Sequence, residues 1–192
     1  WLAELERIGA PAEIGSRDWV THGLLKEQLE SAAATRICRD ELWGASTTTS
    51  WHTWLPFVFD IQPLETIELR TQALARLGAV PTFIDNEIDN LREGLRLGYS
   101  APRVTVEAVP DQVRSLIGPD SIFLGPAARS DDPNFQSAVA QIYNEEITPA
   151  LIRYADFIKN EYLSRARETL AVLGNPDGEA CYPTLVRSFV TV

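Results

Sequence analysis

The sequence contains no methionine, only two cysteines and two histidines, and 17 basic residues against 27 acidic ones. Each shortage excludes something. Cys38 and Cys181 lie far apart and form no CxxC pair, which removes zinc-ribbon and thioredoxin-type readings. A reduced compartment is then the default, with a disulfide between the two left open. His22 and His52 do not share the HExxH frame that sets two imidazoles one helical turn apart, so no catalytic residue, metal ligand set or cofactor is assigned to this chain. A net charge of −10 leaves no cluster of Lys and Arg for nucleic acid or an anionic membrane. No apolar run approaches the ~18 residues of a membrane span. The acidic opening from Trp1 to Glu6 is not a signal peptide. The expectation is a cytoplasmic protein, with a secreted or lipoprotein form left open. Because the chain starts on Trp1, we also expect it to be a piece of a longer protein.

Missing motifs narrow the chemistry further. No GxxxxGK[ST] or GxGxxG cradles a phosphate, and no GxSxG presents a serine nucleophile. The paired acids Glu145-Glu146 and Asp131-Asp132, and Asp85 with Glu87 and Asp89, read as solvated helix ends rather than a converging glycosidase pair. Alternation of the strand kind is absent, as is any repeat of fixed length.

What is present is helical. Over 192 residues, 45% hydrophobic and 23% charged, the chain can bury roughly 70% of its unfolded surface as one soluble domain. Ile84, Ile88, Leu91 and Leu95 step by helical intervals toward Gly98, which suits a left-handed helix stop, and Pro102 suits the first turn of a new helix. Ser16 reads as an N-cap for a helix running to about Arg39. Pro81 should bend or restart the helix that begins near Leu64, and Pro110 should kink one spanning Pro102 to Ile117. Helices are also expected from Asp132-Pro133 and from Pro149, the latter reaching Tyr162. Gly174 to Gly178 forms a turn cluster, followed by a last helical segment that Pro183 disturbs. The fold class is all-α, six to eight helices in antiparallel hairpins. Residues 1–63 hold the first helices and an aromatic-rich loop, and residues 64–192 hold the hairpins.

That loop, Glu41 to Pro63, carries three of the five tryptophans. Trp43, Trp51, Trp54, Phe57 and Phe59 either plug the bundle or line a substrate groove.

Several separated segments, in order, resemble one family. They are Glu41-Leu42-Trp43-Gly44, Leu55-Pro56-Phe57, Ala79 to Asp85, Asn90 to Leu95 through Ala101-Pro102, Tyr154 to Ile158, Glu161-Tyr162-Leu163 with Ala166-Arg167, Asn175 to Gly178, Cys181-Tyr182 and Val186 to Phe189. Together they resemble the N-terminal part of the bacterial "domain of unknown function 885" proteins, regarded as zinc metallopeptidases with a fold like the Taq-type carboxypeptidases. The resemblance implies a longer all-helical protein with a deep groove, whose zinc and HExxH helix belong to a C-terminal catalytic half that would be this chain's partner. It also implies a peptide-like substrate. Trp51 and Trp54 of the aromatic run, with Tyr182 and Arg187 of the matching segment, are the candidate substrate contacts. For Tyr182 and Arg187 the alternatives are a packed helix start and a surface ion pair. The sequence departs from the family at Ser46 to Ser50, where relatives carry an Asn-rich stretch, and at Pro110 and Pro183. The competing expectation is a non-enzymatic helical domain that binds a ligand or partner through the segment from Trp51 to Phe59.

Overall fold

A computed structural model describes residues 1–190. Among them ten α-helices follow one another: α1 (Leu2–Ile8), α2 (Arg17–Ala34), α3 (Trp51–Asp60), α4 (Ile67–Leu97), α5 (Arg103–Val106), α6 (Val109–Arg114), α7 (Gly125–Ala128), α8 (Pro133–Ile142), α9 (Thr148–Phe157) and α10 (Gly178–Val190). Among the described residues no strand forms, and an isolated bridge pairs Pro102 with Arg167. The fold is all-α. None of the described helices is long and apolar enough to cross a membrane. The chain divides into two compact units, one made of Trp1–Asp40 with Leu170–Val192, the other of Glu41–Thr169.

The continuous unit is organised by α4. Thr66 caps its start, its side chain accepting from the Leu69 N–H at 3.2 Å. Ala73, Leu77, Val80, Ile84, Ile88, Leu91 and Leu95 form one buried seam along it, packed against α8 and α9. The expected break at Pro81 does not occur: the 31-residue helix runs through it. A mid-helix proline costs ~3 kcal/mol. Burying a single large apolar side chain returns roughly 1.5–3 kcal/mol, and this seam holds several on both sides of Pro81. The stop is as the sequence implies. Gly98 adopts φ 89°, and the Tyr99 N–H reaches back to the Gly94 carbonyl at 2.8 Å.

Pro110 does not kink a helix. It sits in the first turn of α6, where its missing N–H has no intrahelical partner to lose, and α5 and α6 are separate short helices. Pro149 likewise lies in the first turn of α9, directly after a widened π turn from Tyr143 to Ile147. A second π turn, Ile158–Tyr162, continues α9 to the end of the expected helix.

The discontinuous unit joins α1 and α2 to α10. Ser16 accepts from the Trp19 N–H at 3.2 Å, and Asp18 adds negative charge in the first turn of α2. A 3-10 turn, Thr35–Cys38, follows α2 and packs on α10. There Cys38 and Cys181 form a disulfide across 143 residues of sequence, closing the question left open above. The helix α10 accommodates Pro183 within its first half.

Candidate functional site

The expected aromatic loop is largely a helix. Residues 51–60 form α3 despite Pro56, because Trp51, His52, Leu55, Pro56 and Phe59 share one inward stripe with a helical period. Tryptophan density hid that period, since aromatics suit strands and loops as well as helix cores. The Ser/Thr run ahead of it tethers the helix. Ser50 Oγ donates to the Gly44 carbonyl at 2.9 Å and accepts from the Ser46 N–H, while the Thr47 N–H donates to the Thr105 carbonyl at 2.9 Å.

Trp51 is buried, its indole meeting the rings of Phe83 and Tyr154 edge-on, with centroids 6.2 and 5.0 Å away. In this conformation it packs the core. Trp54, from the other side of α3, is 50% exposed alongside Phe57, Val58 and Ile61. His52 is buried, with Nε2 3.0 Å from Gln112 Oε1. The Gln112 amide donates in turn to the Thr47 carbonyl, which fixes its orientation and leaves Oε1 to accept from Nε2–H. Burial pushes the His52 pKa down against the opposing effect of that hydrogen bond. Burial pushes up the carboxyl of Glu87 and the phenol of Tyr154, which Glu87 influences. Nδ1 of His52 has no hydrogen-bond partner among the described residues. The imidazole is therefore a neutral group that ties α3 to α6, rather than a base facing substrate.

The other two candidates lie on α10, in the discontinuous unit. Arg187 grips Glu27 through Nε and Nη2 at 2.8 and 2.7 Å, and Nη2 also reaches Glu30 at 3.0 Å. Those bonds hold its guanidinium well above its ordinary pKa and Glu27 below the usual carboxylate range. The arginine thus takes the ion-pair role given as its alternative. Tyr182 is 55% exposed and lines an apolar groove of about 410 Å³ with Leu173, Leu185, Val186 and Phe189. It is not packed as a helix start.

Sequence reasoning missed a cavity of about 450 Å³ in the continuous unit, lined by Gln62, Leu64, Glu65, Arg70 and Arg129 to Asp132. Gln62 is 5% exposed, yet neither atom of its carboxamide has a hydrogen-bond partner among the described residues. Only the Asp131-Asp132 pair flagged this wall, and it read as a helix start. Asp132 indeed caps α8, accepting from the Asn134 and Phe135 N–H groups.

Among the described residues no group of three or more His, Cys, Asp or Glu side chains is arranged to hold a metal ion. No curated protein and no solved structure matches the chain. The family described as "Bacterial protein of unknown function (DUF885)" matches residues 1–192, and the chain belongs to that family.

Proposed function

We propose that this chain is the N-terminal helical portion of a zinc-dependent, carboxypeptidase-like hydrolase, and that it forms one wall of the substrate cleft. The family match over all 192 residues supports the reading, taken with the zinc-metallopeptidase character that the sequence resemblance implies. The exposed apolar strip of Trp54, Phe57 and Val58 on α3, with Ile61 at its C-cap, supports it, because a helix face of that kind marks a surface that something covers. The covering element in this reading is the C-terminal half of the same protein, and the substrate is peptide-like.

The described residues do not fit zinc, so no step of hydrolysis is assigned to them. Their part is shape: rigid helices, tied by His52 and Gln112, that limit what enters. The Cys38–Cys181 disulfide favours an oxidising compartment over the cytoplasmic default.

The test is made on the full-length gene product. Bound zinc, together with peptide hydrolysis that a chelator abolishes and added zinc restores, is the expected result. A full-length protein that binds no zinc and cleaves neither peptides nor esters sinks the reading.

A further inference from the structure

We propose that the cavity beside Gln62 binds a small zwitterionic amide of the free-dipeptide class. The inference goes beyond the hydrolase reading and does not rest on it, since it uses only groups within the continuous unit.

The buried carboxamide is the starting point. Leaving a buried polar group unpaired costs about 1–3 kcal/mol, and native proteins seldom leave both ends of one amide so. Gln62 does, at 5% exposure, on the wall of a polar cavity. A change of rotamer about the sp3 torsions of the Gln62 side chain brings the amide to the cavity that the residue lines. Its adjoining acceptor and donor then match the peptide N–H and a carboxylate oxygen of the ligand's C-terminal residue, which lie on the same side of the chain, whereas the N–H and C=O of one trans peptide group point apart.

The charges around it select the ends of the ligand. Arg129 is already spent, donating to the carbonyls of Phe59, Asp60 and Gly125, and so builds the wall. Arg70 is only partly used: Nη1 donates to the Leu64 carbonyl at 3.0 Å and Nε lies 3.5 Å from Asp132. Its Nη2 has no partner among the described residues and is open to a carboxylate. Glu65 and Asp131 have exposed carboxylates without an ion-pair or hydrogen-bond partner among the described residues, and they suit an ammonium. With Asp132, three carboxylates face two guanidiniums, so the site disfavours a simple anion such as phosphate. An ammonium, one peptide group and a carboxylate satisfy all three features at once. A volume of about 450 Å³ lies within the usual range for small-ligand sites.

The test uses the 192-residue chain, nitrogen-15 labelled, titrated with L-alanyl-L-alanine while the Gln62 side-chain amide resonances are followed. A saturable shift at millimolar or lower concentration is expected. N-acetyl-alanyl-alanine and alanyl-alanine amide, each lacking one charged end, should bind at least about tenfold more weakly, as should free alanine, which lacks the peptide group. Gln62→Met should weaken binding by about tenfold without lowering the melting temperature, because it removes an unsatisfied polar pair and keeps the shape. The double change Glu65→Gln with Asp131→Asn, both exposed and without packing duties, should weaken it comparably with the fold intact. A cavity filled by water alone gives no saturable shift up to roughly 10 mM dipeptide, and that overturns the proposal. So does equal binding of the N-acetylated dipeptide, or undiminished binding by either variant.

Discussion

The Tyr162 hydroxyl accepts a 2.7 Å hydrogen bond from the backbone N–H of Ala101, a contact buried on both sides. It pins the π turn after α9 to the segment that follows the Gly98 helix stop. Tyr162→Phe keeps the ring and orphans the Ala101 N–H, so it should cost about 1–3 kcal/mol in denaturant unfolding. Burial pushes the Tyr162 phenol up to about 12, the Ala101 bond opposing it. The folded pKa is raised, so its contribution is whole below pH 10 and fades as pH rises through about 12. Alkaline unfolding of the wild type should therefore be steeper over that window than that of Tyr162→Phe.

Two glycines of α4 should respond to alanine in opposite directions. A Cβ at Gly94 would run into the Leu42 carbonyl, whereas one at Gly78 meets open space. Gly94→Ala should destabilise by about 2 kcal/mol or more, through forced movement of the Leu42 turn. Gly78→Ala, in a helix interior, should stabilise by about 0.5–1 kcal/mol. Thermal melts of the two variants check the pair.

The pH limbs report His52 and Glu87. His52 has a lowered pKa, so its stabilising part is complete above pH 6.5 and is lost as pH falls through the folded value. His52→Gln should flatten the decline of melting temperature on the acid side of pH 6.5. Glu87 has a raised pKa, so its contribution is complete below pH 4.5 and lost as pH rises through the folded value. Glu87→Gln should raise the melting temperature near neutrality and change little at pH 4.

Trp51 and Trp54 separate packing from recognition. Trp51→Ala empties a buried site and should cost about 3–5 kcal/mol. Trp54→Ala should leave the unfolding midpoint nearly unchanged while reducing dye binding to exposed apolar surface.

Reducing the Cys38–Cys181 disulfide should lower the stability of the unit it closes by about 2–5 kcal/mol. Melting with and without a thiol reductant measures this. Two transitions, of which only one moves, are expected if the units unfold separately.

Much of this architecture was legible in the residues. The seam from Ile84 to Leu95, the Gly98 stop, the Ser16 cap and the start at Asp132-Pro133 follow local rules, and local rules suffice where periodicity and capping agree. Prolines were harder, because their effect depends on position. Pro81 is carried by a long buried seam and Pro110 begins a helix instead of bending one, while Pro149 stands in the first turn of α9 as expected. The helix at Trp51 to Asp60 was masked by aromatics that suit several conformations. The site candidates fared differently for another reason. Whether Trp51 is wall or core, and whether Arg187 is free or paired, depends on neighbours such as Tyr154 and Glu27 that are remote in sequence. The Gln62 cavity depends on Arg70 and Asp131 in the same way, and nothing around residue 62 announces it.

The disulfide has a consequence for the order of events during synthesis. Residues 41–169 emerge as one uninterrupted stretch and hold their own core, so they can fold while the chain is still being made. The other unit cannot: Cys38 must wait for Cys181 to follow it out of the ribosome, 143 residues later. During that interval Cys38 has no correct partner. A secreted version of this chain would then depend on a thiol isomerase, or on delayed oxidation, to keep Cys38 from pairing with the wrong molecule.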